Sequence, residues 1–160
     1  MRKLFFLLFL LLSSLFLSVQ AQQSYNMQFH SNWDDNSIPS RSGVIFNDIW
    51  GYAASGREYA ILGSTEGTLF FDVWNPSSPQ EITRIPGGYQ LSLWRDVTTF
   101  RNYAYGVADE PSSTNRSGLQ IFDLSNLPNS VSKVYDSFAF FETAHNIFID
   151  EDSGRLYVVG

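Results

Sequence analysis

The sequence predicts an all-β protein made of β-propeller blades, and three observations lead to this prediction. From residue 44 onward, short apolar runs rich in β-branched and aromatic residues alternate with Gly, Pro and Asn. No helical period follows the first 21 residues. Three groups of residues also recur in the same order at intervals of about 50 positions. A period of this length that holds about four strands is typical of propeller blades.

The internal repeat is the strongest of these observations. Its first group places Asp48, Asp96 and Asn146 at the start of successive units, 48 and then 50 positions apart. Its last group ends at Asp72 in the first unit and at Asp123 in the second, 51 positions apart. A middle group of Arg, Tyr and Ala lies between them in both units. Three groups in one fixed order indicate a repeated structural unit.

The repeat divides the chain into three predicted regions. They are a signal peptide at 1–21, a polar linker at 22–43 and a partial propeller domain at 44–160, with blades near 47–90, 95–141 and 145–160. The predicted strands cover 48–53, 58–63, 68–74, 81–85, 96–100, 103–108, 119–124, 131–140, 146–150 and 155–159. A further strand at Met27–Trp33 is predicted to close the ring by pairing with the last blade.

The predicted propeller is incomplete. About two and a half four-stranded antiparallel blades are present, whereas propellers close with about 4–8. The sequence therefore indicates the N-terminal part of a longer protein. Because each blade buries its faces against its neighbours, we expect the open faces to make this chain oligomeric or poorly soluble by itself.

The N-terminus predicts export from the cytoplasm. Arg2 and Lys3 precede an apolar stretch that ends in small residues at Val19 and Ala21, which is the order of a signal peptide cleaved after Ala21. The apolar run is shorter than the about 20 residues of a comfortable membrane span. We therefore expect a secreted or cell-surface protein with no transmembrane segment after cleavage.

Composition narrows the classes of function. The chain has no cysteine, so burial of a core rather than disulfides must stabilise it outside the cell. Aromatic residues make up 16% of the chain, which favours wide packed β-sheet faces. The net charge of −6 is scattered along the sequence, which argues against a nucleic-acid partner.

Several stretches carry a resemblance to a known family. They lie at residues 47–52, 56–60, 71–76, 94–96, 119–124 and 144–147. In their order and spacing they resemble the choice-of-anchor B family, a group of secreted bacterial proteins with LVIVD-type repeats. The resemblance implies an extracellular propeller-like protein, often anchored or sorted by a C-terminal segment, and it implies no particular reaction. The insertion at 111–117 departs from the shorter Gly-rich stretch expected there.

Polar residues near the starts of the first strands form the candidate site. Since neighbouring strands alternate in direction, these residues and the loops between second and third strands share one face of the propeller. The candidates on this channel rim are Asp48, Glu66, Asp96, Glu110, His145 and Asn146. Carboxylates with an imidazole could hold a divalent cation such as calcium, sugar hydroxyls or a cationic peptide. Alternatively, Asp48 and Asp96 only accept hydrogen bonds from loop amides.

The favoured function is a non-catalytic binding or scaffold protein that uses this rim to bind an extracellular protein or glycan. No cofactor is predicted beyond the cation that the rim could hold. The alternative is part of an extracellular propeller enzyme, hydrolase-like or metal-dependent, with most catalytic groups in other blades. The sequence has no cysteine nucleophile, no Gly-x-Ser-x-Gly motif and only His145 within the repeats, so it favours binding. Asp72, Asp123 and Asp150 are predicted to form turns.

Overall fold

The computed structural model describes residues 26–109 and 116–160, which form antiparallel β structure. The predicted signal peptide lies outside these residues. Contacts divide the chain between His30 and Ser31, and the account below concerns the unit Ser31–Gly160. Residues 26–109 and 116–160 contain no helix, and hence none long and apolar enough to cross a membrane.

Ten strands form three sheets within these residues. The first sheet has the order β1 (Phe46–Ala54), β2 (Arg57–Ser64), β3 (Gly67–Asp72) and β4 (Gln80–Pro86). The second has the order β5 (Trp94–Phe100), β6 (Tyr103–Asp109), β7 (Leu119–Asp123) and β8 (Ser132–Ser137). The third pairs β9 (Asn146–Asp150) with β10 (Arg155–Val159). The all-β class and the repeated four-stranded antiparallel sheets are thus confirmed, while a complete propeller stays a prediction because these sheets do not close.

Three predicted strands are shorter in the structure, and the third strand of the second sheet ends one residue early, at Asp123. The third strand of the first sheet ends at Asp72 rather than at residue 74, because the Asp72 carboxylate accepts a hydrogen bond from the Trp74 amide, 2.9 Å away, and starts a turn. The last strand of the second sheet ends at Ser137 rather than at residue 140. There the Ser137 hydroxyl accepts a hydrogen bond from the Ala139 amide, 3.1 Å away.

The three sheets pack face to face through their first strands, with β5 beside β1 and β9 beside β5. Ile61 and Phe70 of the first sheet contact Val97 and Phe122 of the second in one buried cluster. The Phe70 and Phe122 rings are 5.3 Å apart and nearly perpendicular, a favourable aromatic geometry. Alternate residues of each strand therefore face one neighbouring sheet, as the period of two requires.

The boundary between the second and third sheets repeats this arrangement. Val107 and Leu119 of the second sheet contact Ile147 and Ala144. In β9 the buried residues Ile147 and Ile149 alternate with exposed positions, so only one face of the third sheet is covered. The opposite face, which carries Phe148, is open among the described residues.

The predicted linker contains a cap on the first sheet. Trp33 and the buried Ile38 contact Leu69 and Phe71 on the sheet face that points away from the second sheet. The Trp33 and Phe71 rings lie 4.6 Å apart and nearly perpendicular, like the aromatic pair between the first two sheets. Residues 27–33 form no strand here, and their pairing with a last blade stays a prediction about the longer protein.

Charged groups hold this cap in place. The Arg84 guanidinium of β4 lies 2.8 Å from the Asp35 carboxylate and 2.7 Å from that of Glu81. The Ser37 hydroxyl and Arg84 lower the pKa of Asp35 to about 2, so this carboxylate is ionised at neutral pH. Residues 33–38 are therefore packed against the first sheet.

Candidate ligand-binding face at the strand starts

Asp48 and Asp96 connect neighbouring sheets. The Asp48 carboxylate accepts a hydrogen bond from the Val97 amide of the second sheet, 3.0 Å away. One repeat later, the Asp96 carboxylate accepts one from the Ile147 amide of the third sheet, 2.6 Å away. The alternative in which Asp48 and Asp96 accept hydrogen bonds from backbone amides agrees with these contacts. The donating amides, however, belong to the next sheet rather than to a loop beside each aspartate. We call each of these bonds a sheet latch.

The first latch lies in a partly buried and negatively charged environment. Burial raises the pKa of the Asp48 carboxyl, and the nearby charge of Asp96 raises it further, while the hydrogen bond from the Val97 amide acts in the opposite direction. Both carboxylates therefore have structural partners. Their hydrogen bonds stabilise the packing of each sheet against the next one.

Asn146 takes the corresponding position in the third sheet. Its side-chain amide lies 3.4 Å from the Asp96 carboxylate and donates to it. The three residues Asp48, Asp96 and Asn146 thus continue one row along the first strands of the sheets. Asn146 is exposed, and no further sheet lies beyond it among the described residues.

A second group of candidates forms an open cluster at the boundary between the second and third sheets. His145 Nδ1 lies 3.0 Å from the Asp109 carboxylate. The Trp94 ring lies 6.2 Å from the imidazole, measured between ring centroids, and Trp94 pairs with Asp109 across β5 and β6. We call Trp94, Asp109 and His145 the Trp–His–Asp cluster. Its three side chains are partly exposed, with 48% of the His145 side chain accessible.

Backbone hydrogen bonds fix the loop that carries His145. The Ala144 amide donates to the Ala108 carbonyl over 3.2 Å, and the His145 amide donates to the Val159 carbonyl over 2.9 Å. The imidazole is therefore held from both the second and the third sheet. A positioned aromatic ring beside an imidazole and a carboxylate is suited to bind a ligand with an apolar face and hydroxyl groups.

The remaining candidates lie apart from this cluster. The Glu66 carboxylate lies 3.8 Å from Arg84 at the cap, and no contact within the described residues joins it to Asp48 or Asp96. Glu110 lies outside the described residues. Within 26–109 and 116–160, no three His, Asp or Glu side chains are arranged to hold a metal ion.

Sequence reasoning did not select Trp94 as a candidate. The signal that could have found it is its position two residues before Asp96, where a first strand begins next to the predicted rim. A search of the chain against models of protein families and against curated proteins gave no match. The resemblance to the choice-of-anchor B repeats therefore stays an expectation from the sequence, and the case for a function depends on the geometry of the Trp–His–Asp cluster.

Proposed function

We propose that this chain is part of an exported β-propeller that binds a glycan at the face where its first strands begin, without catalysing a reaction. The single observation that carries the proposal is the open Trp–His–Asp cluster. Asp48 and Asp96, the other candidates nearby, already bond to the next sheet. The cluster is what remains accessible for a ligand.

The chemistry of the cluster matches a sugar ring. An aromatic side chain offers a flat apolar surface with a negatively polarised face, onto which the C–H groups of a sugar can pack. The Asp109 carboxylate can accept hydrogen bonds from hydroxyl groups, and an imidazole nitrogen can donate or accept one. A protein partner would need a larger surface, since stable interfaces bury about 800 Å² on each side.

The propeller and its export are part of the proposal. Sheets that pack in sequence through their first strands support a propeller, because blades are arranged around a channel in this way. The order of basic, apolar and small residues before Ala21 supports export, and the choice-of-anchor B resemblance agrees with both. A glycan ligand is one that an extracellular protein would meet.

An array of neutral oligosaccharides tests the proposal, followed by calorimetric titration with the sugars that bind. We expect Trp94→Ala to weaken binding about 5- to 30-fold, since loss of one packed aromatic contact removes about 1–2 kcal/mol of binding free energy. Trp74→Ala is the matched control, because Trp74 is also exposed but packs near Arg57 at the other end of the first sheet.

Two results would contradict a glycan site at this cluster. One is the absence of binding to any neutral oligosaccharide. The other is equal binding by wild type and Trp94→Ala, because that would locate the bound sugar elsewhere. Loss of binding in Trp74→Ala but not in Trp94→Ala would likewise locate the bound sugar elsewhere. Circular dichroism of each variant verifies that the sheets are retained.

The His145–Asp109 pair also favours a second candidate function, an extracellular hydrolase. A carboxylate 3.0 Å from one imidazole nitrogen orients the ring, which is half of a general-base arrangement. Chromogenic esters and glycosides test this alternative directly. A hydrolase that uses this base would lose at least about 100-fold in rate in His145→Gln, whereas a pure binding protein shows no turnover in either form.

A further inference from the structure

We propose that Arg41, which lies outside the Trp–His–Asp cluster, is a positioning residue for the aromatic ring of that cluster. Together with Thr65 it fixes the backbone of Leu91, and Leu91 sets the path of the loop that ends at Trp94. The effect on affinity rests on the proposed glycan site, whereas the orientation of the Trp94 ring can be measured without a glycan.

The loop between the first and second sheets carries the aromatic ring of the cluster. It covers residues 87–93, after β4, and ends at Trp94, the first residue of β5. Trp94 is 45% exposed, so its ring is only partly enclosed by other side chains. The direction in which Trp94 faces the ligand therefore depends on the backbone that precedes it.

Leu91, in the middle of this loop, has a backbone conformation that is unfavourable for its residue type. Its φ is +66°, in the left-handed region that Gly, Asn and Asp occupy far more readily than Leu. A residue keeps such a conformation only where its surroundings hold it there. The contacts of Leu91 therefore decide whether the loop keeps its path.

Two hydrogen bonds from other segments hold Leu91. Its amide donates to the Thr65 carbonyl over 2.6 Å, and its carbonyl accepts a hydrogen bond from the Arg41 guanidinium, 2.9 Å away. Because the two bonds lie on the peptide groups on either side of the Leu91 Cα, they restrict both φ and ψ of this residue. Removal of the Arg41 side chain releases one of these two peptide groups.

The partners of Leu91 are also connected to each other. Thr65 is fully buried, and its hydroxyl donates to the Pro39 carbonyl over 2.5 Å. Pro39 precedes Arg41 by two residues, so the hydrogen bonds through Thr65 and Leu91 return to the segment from which they start. This closed ring fixes Leu91 relative to the first sheet.

The backbone of Arg41 is held in a tight turn before β1. Its amide donates to the Val44 carbonyl over 3.0 Å, and its carbonyl accepts from the Val44 amide over 2.9 Å. The two residues between them, Ser42 and Gly43, both have positive φ, as in a type I′ turn. The guanidinium therefore extends toward Leu91 from a fixed position.

A buried hydroxyl connects Leu91 to the cluster. Ser92, the next residue, is fully buried, and its hydroxyl lies 3.0 Å from the Trp94 carbonyl and 3.3 Å from the Asp109 carbonyl. A rotated Leu91 backbone would withdraw this hydroxyl from both carbonyls. It would thereby change how the Trp94 ring faces Asp109 and His145.

Fluorine NMR of the chain labelled with 5-fluorotryptophan tests the proposal without a ligand. The chain has four Trp residues, and Trp94→Phe assigns the signal of interest. We expect Arg41→Ala to shift or broaden the Trp94 signal, and Arg41→Lys, which can donate to the same carbonyl, to restore it. Arg155→Ala is the matched control, because this exposed arginine lies at the end of the third sheet opposite to His145, and it should leave the signal unchanged.

Calorimetric titration with a sugar that binds the wild type measures the consequence for the site. If Arg41→Ala leaves the loop in its binding conformation in about 10–20% of the molecules, affinity falls about 5- to 10-fold, because the apparent Kd is divided by that fraction. Arg41→Lys and Arg155→Ala should stay within about twofold of the wild type.

Leu91→Asn separates this positioning role from a general effect on the fold. Asn adopts the left-handed conformation more readily than Leu, so the loop should depend less on the Arg41 guanidinium. Arg41→Ala should therefore change the Trp94 signal and the affinity less in the Leu91→Asn background than in the wild type. An equal effect in both backgrounds would mean that Arg41 does not act through Leu91.

The results for the positioning role and for the glycan site can be told apart. An unchanged Trp94 signal in Arg41→Ala would overturn the positioning role, as would a signal that Arg41→Lys fails to restore, even where the wild type binds a sugar. A protein whose Trp94 signal responds to Arg41 but which binds no sugar would contradict the glycan site and support the positioning role. Circular dichroism of each variant verifies that the sheets are retained.

Discussion

The two boundaries between sheets use the same position of the repeat in opposite ways. At the first boundary the residue before the latch aspartate of the second sheet is Arg95, which is only 4% exposed. Its guanidinium donates to the Ser64 carbonyl over 2.6 Å and also to the Tyr89 carbonyl. At the second boundary the matching residue is His145, which is half exposed and bonds to Asp109. At this position the first boundary thus holds a buried guanidinium, whereas the second boundary holds an exposed imidazole.

A glycine explains part of this difference. A Cβ atom at Gly87 would lie 2.3 Å from a nitrogen of the Arg95 guanidinium, so a side chain at this point of the loop after β4 would have to displace the end of Arg95. The latch hydrogen bonds are present at both boundaries. The aspartate position of the repeat therefore joins neighbouring sheets. The residue before that position can either fill the core, as Arg95 does, or be exposed to a ligand, as His145 is.

The largest expected effect comes from removal of the buried guanidinium. Arg95→Met should lower the free energy of unfolding by about 3 kcal/mol, because the buried Ser64 carbonyl and the partly buried Tyr89 carbonyl lose charged hydrogen-bond donors. His145→Gln, the matched change at the open boundary, should stay within about 0.5 kcal/mol of the wild type. Urea unfolding measures both, and equal losses would show that the two boundaries do not differ as described.

The latches should come next in size, and they should be alike at the two boundaries. Asp96→Ala leaves the amide of Ile147 without its acceptor, and Asp48→Ala does the same to Val97. Each change should cost about 1–3 kcal/mol of unfolding free energy. Asp123→Ala removes hydrogen bonds from the amide and hydroxyl of the exposed Ser125, which lie within one turn, and serves as the control. If urea unfolding gave Asp96→Ala the same free energy of unfolding as the wild type, this would contradict a latch role at the second boundary.

The sequence predicted the sheets better than it predicted the site, for a physical reason. Alternating apolar residues and turn signals are local, so all ten strands were located to within a few residues. Asp72 and Asp123 form the predicted turns for the same reason: each carboxylate accepts the amide two residues later. Local hydrogen bonds of this kind can be inferred from spacing alone.

What the sequence could not provide were contacts between distant segments. The partner of Asp48 is 49 positions away and that of Asp96 is 51 away, so repeat position alone could not separate a latch from a ligand-binding carboxylate. The cap at Trp33 was missed because its surroundings are polar and show no period.

The absence of a side chain at Gly87 leads to a prediction with a smaller expected effect. Gly87→Ala should cost about 1–2 kcal/mol in urea unfolding, because the new methyl group must displace a bonded guanidinium. In the Arg95→Met background the same change should cost clearly less, since the obstacle is gone. A double-mutant cycle measures this coupling. Additive effects of the two changes would mean that Gly87 does not serve to accommodate Arg95.

The smallest expected effect is a pH dependence at the first latch. Burial and the charge of Asp96 raise the pKa of Asp48, so the folded state holds this proton more tightly than the unfolded chain. Ionisation of Asp48 therefore costs stability as the pH rises from about 4 through the raised pKa. Asp48→Asn keeps an acceptor for the Val97 amide and removes the charge, so its stability relative to wild type should improve over that pH window.

Asp123→Asn provides a control of opposite sign for this measurement. The Ser125 hydroxyl and amide lower the pKa of Asp123, so its carboxylate contributes stability above the unfolded-state value and loses it as the pH falls. Relative to wild type, Asp123→Asn should therefore become less stable over the same rise in pH. Urea unfolding of the three proteins at several pH values between about 3 and 7 gives both slopes. Slopes of equal sign would mean that the latch carboxylate is not in the charged surroundings that connect the first and second sheets.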